Sequence, residues 1–150
     1  PEDTVRYIAK KKCDAAAALC APDDLIITAD TMVFLGNDRL GKPRDEEDAL
    51  RMLRELAGRA HTVCTGVSVR RGAQEERFAV STRVFFRPMT DDEIRAYIKT
   101  GEPMDKAGAY GVQSRGALFV ERIDGDFFNV MGLPVEQLGL VLARFGVKLL

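Results

Sequence analysis

A central pair of alternating runs constrains this fold most. Val63, Thr65, Val67 and Val69 alternate with smaller or polar residues, the period of two that separates the faces of an extended strand. RRGAQEER, residues 70–77, is polar and contains a glycine, and residues 78–86 are again rich in Val, Phe and Thr. Two such runs around a polar turn predict a β-hairpin.

Helical patterns interleave with these strands. Residues 2–20 read as a helix, with Val5, Ile8, Ala9 and Lys12 near helical spacing and AAAAL before the stop at Pro22-Asp23-Asp24. LIITA, residues 25–29, reads as a buried strand. Residues 32–35 continue it to the turn signal Gly36-Asn37-Asp38. Asp45, Glu46, Glu47 and Asp48 suit a first helical turn, followed by Ala49, Met52, Leu53 and Leu56 and the stop Gly58. Thr90 and Glu93 form a capping box before Ile94, Tyr97 and Ile98. Residues 117–123 and 127–131 flank Asp124-Gly125, which predicts a second hairpin. Pro134 opens a last helix with Leu138, Val141, Leu142 and Phe145 inward. Interleaved helices and strands with two hairpins predict an α/β chain with a mixed sheet.

The 150 residues suit one domain, residues 1–150, and 46% hydrophobic with 30% charged residues is a soluble globular profile. A net charge of −1 gives no global attraction to nucleic acid or to a membrane, and neither is expected as a partner. No apolar run is long enough to span a bilayer. Cys13, Cys20 and Cys64 are odd in number and lack C-x-x-C spacing, so they read as small buried residues in a reducing compartment, the cytoplasm by default.

Polar residues collect at a few element ends. Asp30 in TADT follows the first apolar strand, where a carboxylate reaches a sheet rim; a turn or helix-cap aspartate is the plainer alternative. Lys42 in LGKP is pinned between Gly41 and Pro43, which suits a phosphate, though a surface lysine in a turn has the same pattern. In DKAGAYGVQ, Lys106 offers a cation, Tyr110 a ring for stacking and Gln113 an amide that can pair with a base edge. The same glycines would also serve tight packing. Lys10, Lys11 and Lys12 read as a solvated face, except that Lys12 falls near the inward stripe and can reach a site from the helix. His61 is the single histidine, which excludes a histidine metal cluster or dyad. G-x-G-x-x-G and Walker A patterns are absent.

Taken together, D-T, G-K-P, G-R-x-H-x-V-x-T, D-K-A-G-A-Y-G-x-Q and N-V-x-G-L-P resemble the signatures of the Maf family of nucleoside triphosphate pyrophosphatases, over residues 1–146. The resemblance implies a mixed α/β fold with a strongly twisted sheet, two lobes and a central cleft. It implies hydrolysis of a nucleoside triphosphate to the monophosphate and pyrophosphate with a divalent metal, Mg or Mn. Asp30-Thr31 and the later Gln113 resemble the branch acting on dTTP and UTP, so a pyrimidine nucleoside triphosphate is the expected partner. The family match implies that Asp30 activates the water or holds the metal. Lys42 joins it as a catalytic candidate, Lys12 and Lys106 as phosphate ligands, and Thr31 and Gln113 as base selectors. Gln113 is expected as a buried amide whose orientation Thr31 locks. A homodimer is left open. Alternatives are a nucleotide-binding regulator of septum formation or an inactive remnant. Family members usually begin with a strand and an S-x-S-P-R-R loop that grips the triphosphate. This chain opens at the helix carrying Lys12, so about 40 residues, a strand–helix–strand unit, are expected to be missing before it.

Overall fold

Apolar spacing builds the first element as read. In the computed structural model, which describes all 150 residues, α1 spans Glu2–Ala17 and buries Val5, Ala9 and Cys13 along one stripe. It stops short of residue 20 because nothing beyond Cys13 is packed: Leu19 is 90% exposed. Lys12 lies beside the stripe and not on it, with its side chain half exposed.

The sheet has five strands in the order β2-β1-β3-β4-β5: β1 (Ile26–Leu35), β2 (Asp38–Leu40), β3 (Ala60–Arg71), β4 (Gln74–Phe86) and β5 (Val120–Asp124). Every pairing is antiparallel, so the sheet within this α/β chain is not mixed as the interleaved elements predicted. The predicted central hairpin is there, but its turn is far tighter than the polar run suggested. Arg71 pairs with Gln74, leaving only Gly72-Ala73 between strands. The charged residues of that run belong to the ladder, with Arg70 opposite Glu75, an opposite-charge pairing that supports the register.

Three expectations give way here. The LIITA run is not a buried strand. It starts a long strand whose first half is half-exposed, because β2 covers β1 only from Val33 to Leu35. Residues 127–131 are not the return strand of a second hairpin. They form α4 (Phe127–Met131), because the Asp126 side chain accepts from the Asn129 amide at 3.1 Å and Gly132 closes the turn in the left-handed region. β5 instead pairs with β4. Among the cysteines, Cys13 and Cys64 are buried but Cys20 is exposed, and all three are free.

The remaining helices follow their caps. α2 (Glu46–Leu56) starts where Asp45 accepts from the Asp48 amide, and α3 (Asp91–Ile98) has the complete Thr90/Glu93 capping box. α5 is Val135–Arg144. Strand alternation then sorts the core. Val63 and Val84 meet Leu53, Leu56 and Ile94 on one face, and farther along that face Val67 and Val69 meet Leu138 and Val141. Cys64, Met32 and Phe34 face Val5 of α1 on the other side.

Gly66 sets the spacing of that second face. A Cβ there would overlap the backbone of Val5 and Arg6 in α1. Backbone cannot move aside as a side-chain tip can. Gly66→Ala should therefore cost about 1–3 kcal/mol or more, the usual scale of overpacking, read as a lower urea midpoint. An unchanged midpoint would show that α1 is not seated on Gly66.

Candidate active site

The register of β1 on β3 places the candidate residues. Asp30 lies opposite Gly66 and Thr31 opposite Thr65. Adjacent strand residues point to opposite faces, so Asp30 emerges on the side of α1 and Thr31 on the side of α4. Asp30 is therefore in mid-strand, not at a strand end. The two residues still share one place in the fold, since Ile26–Met32 of β1 has no second strand beside it.

On the α1 side, the Lys12 ammonium donates to Asp30 Oδ1 at 2.7 Å and to the Ala29 carbonyl at 3.1 Å. The long stem of a helix lysine thus reaches the strand although its Cα lies off the packed stripe. The Asp30 side chain keeps 18% exposure. Its Oδ2 has no protein partner, so one carboxylate oxygen is held and the other is open to water. Thr28 fixes the same helix by donating to the Ala9 carbonyl at 2.6 Å.

On the other side lies a cavity of about 730 Å³, lined among others by Thr31, Lys42, Lys106, Gly111, Gln113 and Gly132. Its size is that of a small-molecule site. Four of the predicted site residues, Thr31, Lys42, Lys106 and Gln113, meet there, while Asp30 and Lys12 form a separate pair across the strand. The loops carrying Lys42 and Lys106 are stitched together where the Gly108 amide donates to the Gly41 carbonyl at 3.1 Å.

The bareness of the 107–113 stretch has a partly internal cause. A Cβ on Gly111 would lie 2.8 Å from Lys106 Cε, so the glycine makes room for the lysine stem that crosses it. Lys106 donates to Asp105 at 3.0 Å, and that bond holds the Asp105 carboxyl below its usual range. Tyr110 is not a stacking platform. Its ring is 6% exposed and packs edge-on against Phe86 and His61. Gln113 is exposed at the cavity, not buried, and Thr31 does not lock it, because the Thr31 hydroxyl bonds to Thr65 and Gly132. The Gln113 turn is held from behind, where the Tyr97 hydroxyl accepts from the Gly111 amide and Glu102 accepts from the amides of Arg115 and Gly116.

Residues that a reading of single motifs passed over support this arrangement. Thr65 is fully buried and bonds Thr31 at 2.8 Å and the Asn129 carbonyl at 3.2 Å. Asn129, also fully buried, donates to the Val63 carbonyl and to Thr82. The signal lay in two of the quoted motifs, since Thr65 ends H-x-V-x-T and Asn129 opens N-V-x-G-L-P, but the sequence shows no link between them.

For a divalent cation the donor set is narrow. No group of three or more His, Cys, Asp or Glu side chains converges anywhere in the chain. Asp30 offers one open hard oxygen. That fits an ion of the magnesium type, which commonly binds one or two carboxylates and completes its shell with phosphate oxygens and water.

A model of the family described as Maf-like protein matches residues 1–145, and the chain belongs to that family. Among its relatives, a dTTP/UTP pyrophosphatase of Bacillus velezensis is 49% identical over 148 residues, which are 99% of this chain and 78% of that protein. One of Dictyoglomus turgidum is 46% identical over 100% of this chain and 78% of its own length. A third, from Thermococcus kodakarensis, is 47% identical over 91% of this chain and 72% of its own.

His61 supplies a test of how the cavity wall is held. It is 2% exposed, and its Nε2 bonds the Tyr110 hydroxyl at 2.7 Å. Burial pushes its pKa down to about 4. The unfolded chain therefore binds the extra proton first, and stability is complete above the unfolded value of about 6.5 and falls as pH drops toward 4. Between pH about 7 and about 4.5 the loss should be about 2–3 kcal/mol, by urea unfolding. His61→Gln should lack this component. An equal pH slope in both proteins would assign it elsewhere.

Proposed function

We propose that this chain hydrolyses dTTP and UTP to the nucleoside monophosphate and pyrophosphate. Its near-full-length similarity to dTTP/UTP pyrophosphatases supports the substrate class. The observation that carries the chemistry is the Lys12–Asp30 pair, where one carboxylate oxygen is held at 2.7 Å and the other is free.

The cavity on the Thr31 side takes the base and sugar. Lys42 and Lys106 line it and supply positive charge to the phosphates. The triphosphate reaches the uncovered edge of β1, where Asp30 and Lys12 sit on the other face. Asp30 Oδ2 accepts the proton of the attacking water, the role of a general base. Lys12 keeps that carboxylate oriented through Oδ1 and adds charge where the reacting phosphate lies. Negative charge grows on the pyrophosphate leaving group, and fixed ammonium groups stabilise it as it develops. In its alternative role the open Asp30 Oδ2 would hold a Mg or Mn ion, which would supply further charge stabilisation when bound. Gln113, free of protein partners, presents its amide to the base.

No helix is long and apolar enough to cross a membrane. Free thiols, with Cys20 exposed, suit a reducing compartment such as the cytoplasm.

Asp30→Asn removes the proton acceptor and keeps the shape. Turnover of dTTP should fall on the order of a hundredfold or more, the scale of general-base loss, while dTMP binding is retained. Pyrophosphate release within a few-fold of the parent protein would rule out Asp30 as the base.

A further inference from the structure

The Thr31 hydroxyl is not free to choose its polarity. It lies 2.8 Å from the Thr65 hydroxyl and 3.4 Å from the Gly132 carbonyl. Thr65 in turn lies 3.2 Å from the Asn129 carbonyl and is fully buried, so no water serves it. Each hydroxyl has one proton and can accept through two lone pairs. Two oxygens at 2.8 Å need a proton between them.

That inventory leaves few arrangements. Thr65 can donate to Asn129 while Thr31 donates to Thr65. Alternatively, Thr65 donates to Thr31 while Thr31 donates to Gly132. Both keep the Thr31 proton inside the protein and leave a lone pair facing the cavity. The remaining arrangement turns the Thr31 proton toward the ligand and gives up one internal bond. A ligand group that donates to Thr31 is therefore favoured over one that accepts from it, by one hydrogen bond.

Resting on the dTTP/UTP reading above, we propose that Thr65 is a specificity-positioning residue: through the Thr65–Asn129 chain it makes Thr31 an acceptor that reads the N3–H donor of thymine and uracil and disfavours the N3 acceptor of cytosine. Thr65 touches no substrate and acts through Thr31. The exposed Gln113 amide can rotate to suit either edge, whereas this chain cannot without losing a bond. One neutral hydrogen bond corresponds to roughly a three- to tenfold preference.

Binding of dTMP and dCMP, measured by calorimetry, tests this without any need for turnover. The parent protein should bind dTMP roughly three- to tenfold more tightly than dCMP. Thr65→Val, which keeps the shape and leaves Thr31 only the 3.4 Å contact with the Gly132 carbonyl, at the weak limit of a hydrogen bond, should bring the ratio near one, and Thr65→Ser should restore it. Should the valine variant fail to fold, Thr65→Ala removes the same hydroxyl and should collapse the ratio likewise. An unchanged ratio in a folded variant lacking the hydroxyl overturns the inference, as does a parent protein with no thymine preference. Loss of pyrophosphate release with the dTMP preference intact would sink the hydrolase reading and leave this one standing.

Discussion

The pairing register of β1 on β3 is the constraint on which the site depends. It sets Asp30 opposite Gly66 and Thr31 opposite Thr65. A slip of one residue would exchange the faces of every side chain in the strand. Asp30 would leave Lys12, and Thr31 would leave its buried hydroxyl partner. Beyond Thr31 both faces are buried: Met32 and Phe34 go toward α1, and Val33 and Leu35 toward the main core.

Each opposing residue on β3 does something its partner needs. Gly66 lets the backbone of α1 come close enough for Lys12 to reach the strand. Thr65 carries the one hydroxyl that bonds Thr31 within the sheet. The consequence is a division of labour across a single strand. The charged pair stands on one side, and the cavity with its two lysines and its amide stands on the other. Only where β1 lacks a second neighbour can one ligand meet both.

Much of the fold could be read from local chemistry. The capping box at Thr90, the acidic start at Asp45 and the valine alternation of β3 each state their element within a few residues, and each is found. The failures have different causes. FFNVM follows an Asp-Gly pair and so looked like a return strand, but a single side-chain cap from Asp126 decides for helix. Asp30 looked like a strand end because the apolar run stops before it, yet β3 continues the pairing past it. At FFNVM a local cap outweighs the turn signal, whereas at Asp30 a contact from outside the local window decides the outcome.

The site was legible as residues and less so as an arrangement. Thr31, Lys42, Lys106 and Gln113 do line one cavity. That Tyr110 is a core ring bonded to His61, or that Gly111 is bare because Lys106 lies across it, depends on long-range packing that no motif encodes. In the proposed reaction water attacks the α-phosphorus and pyrophosphate leaves. Hydrolysis of dTTP in heavy-oxygen water, followed by mass analysis of both products, tests it most directly. The label should appear in dTMP and not in pyrophosphate. Label in the pyrophosphate, or release of orthophosphate and dTDP, would contradict it.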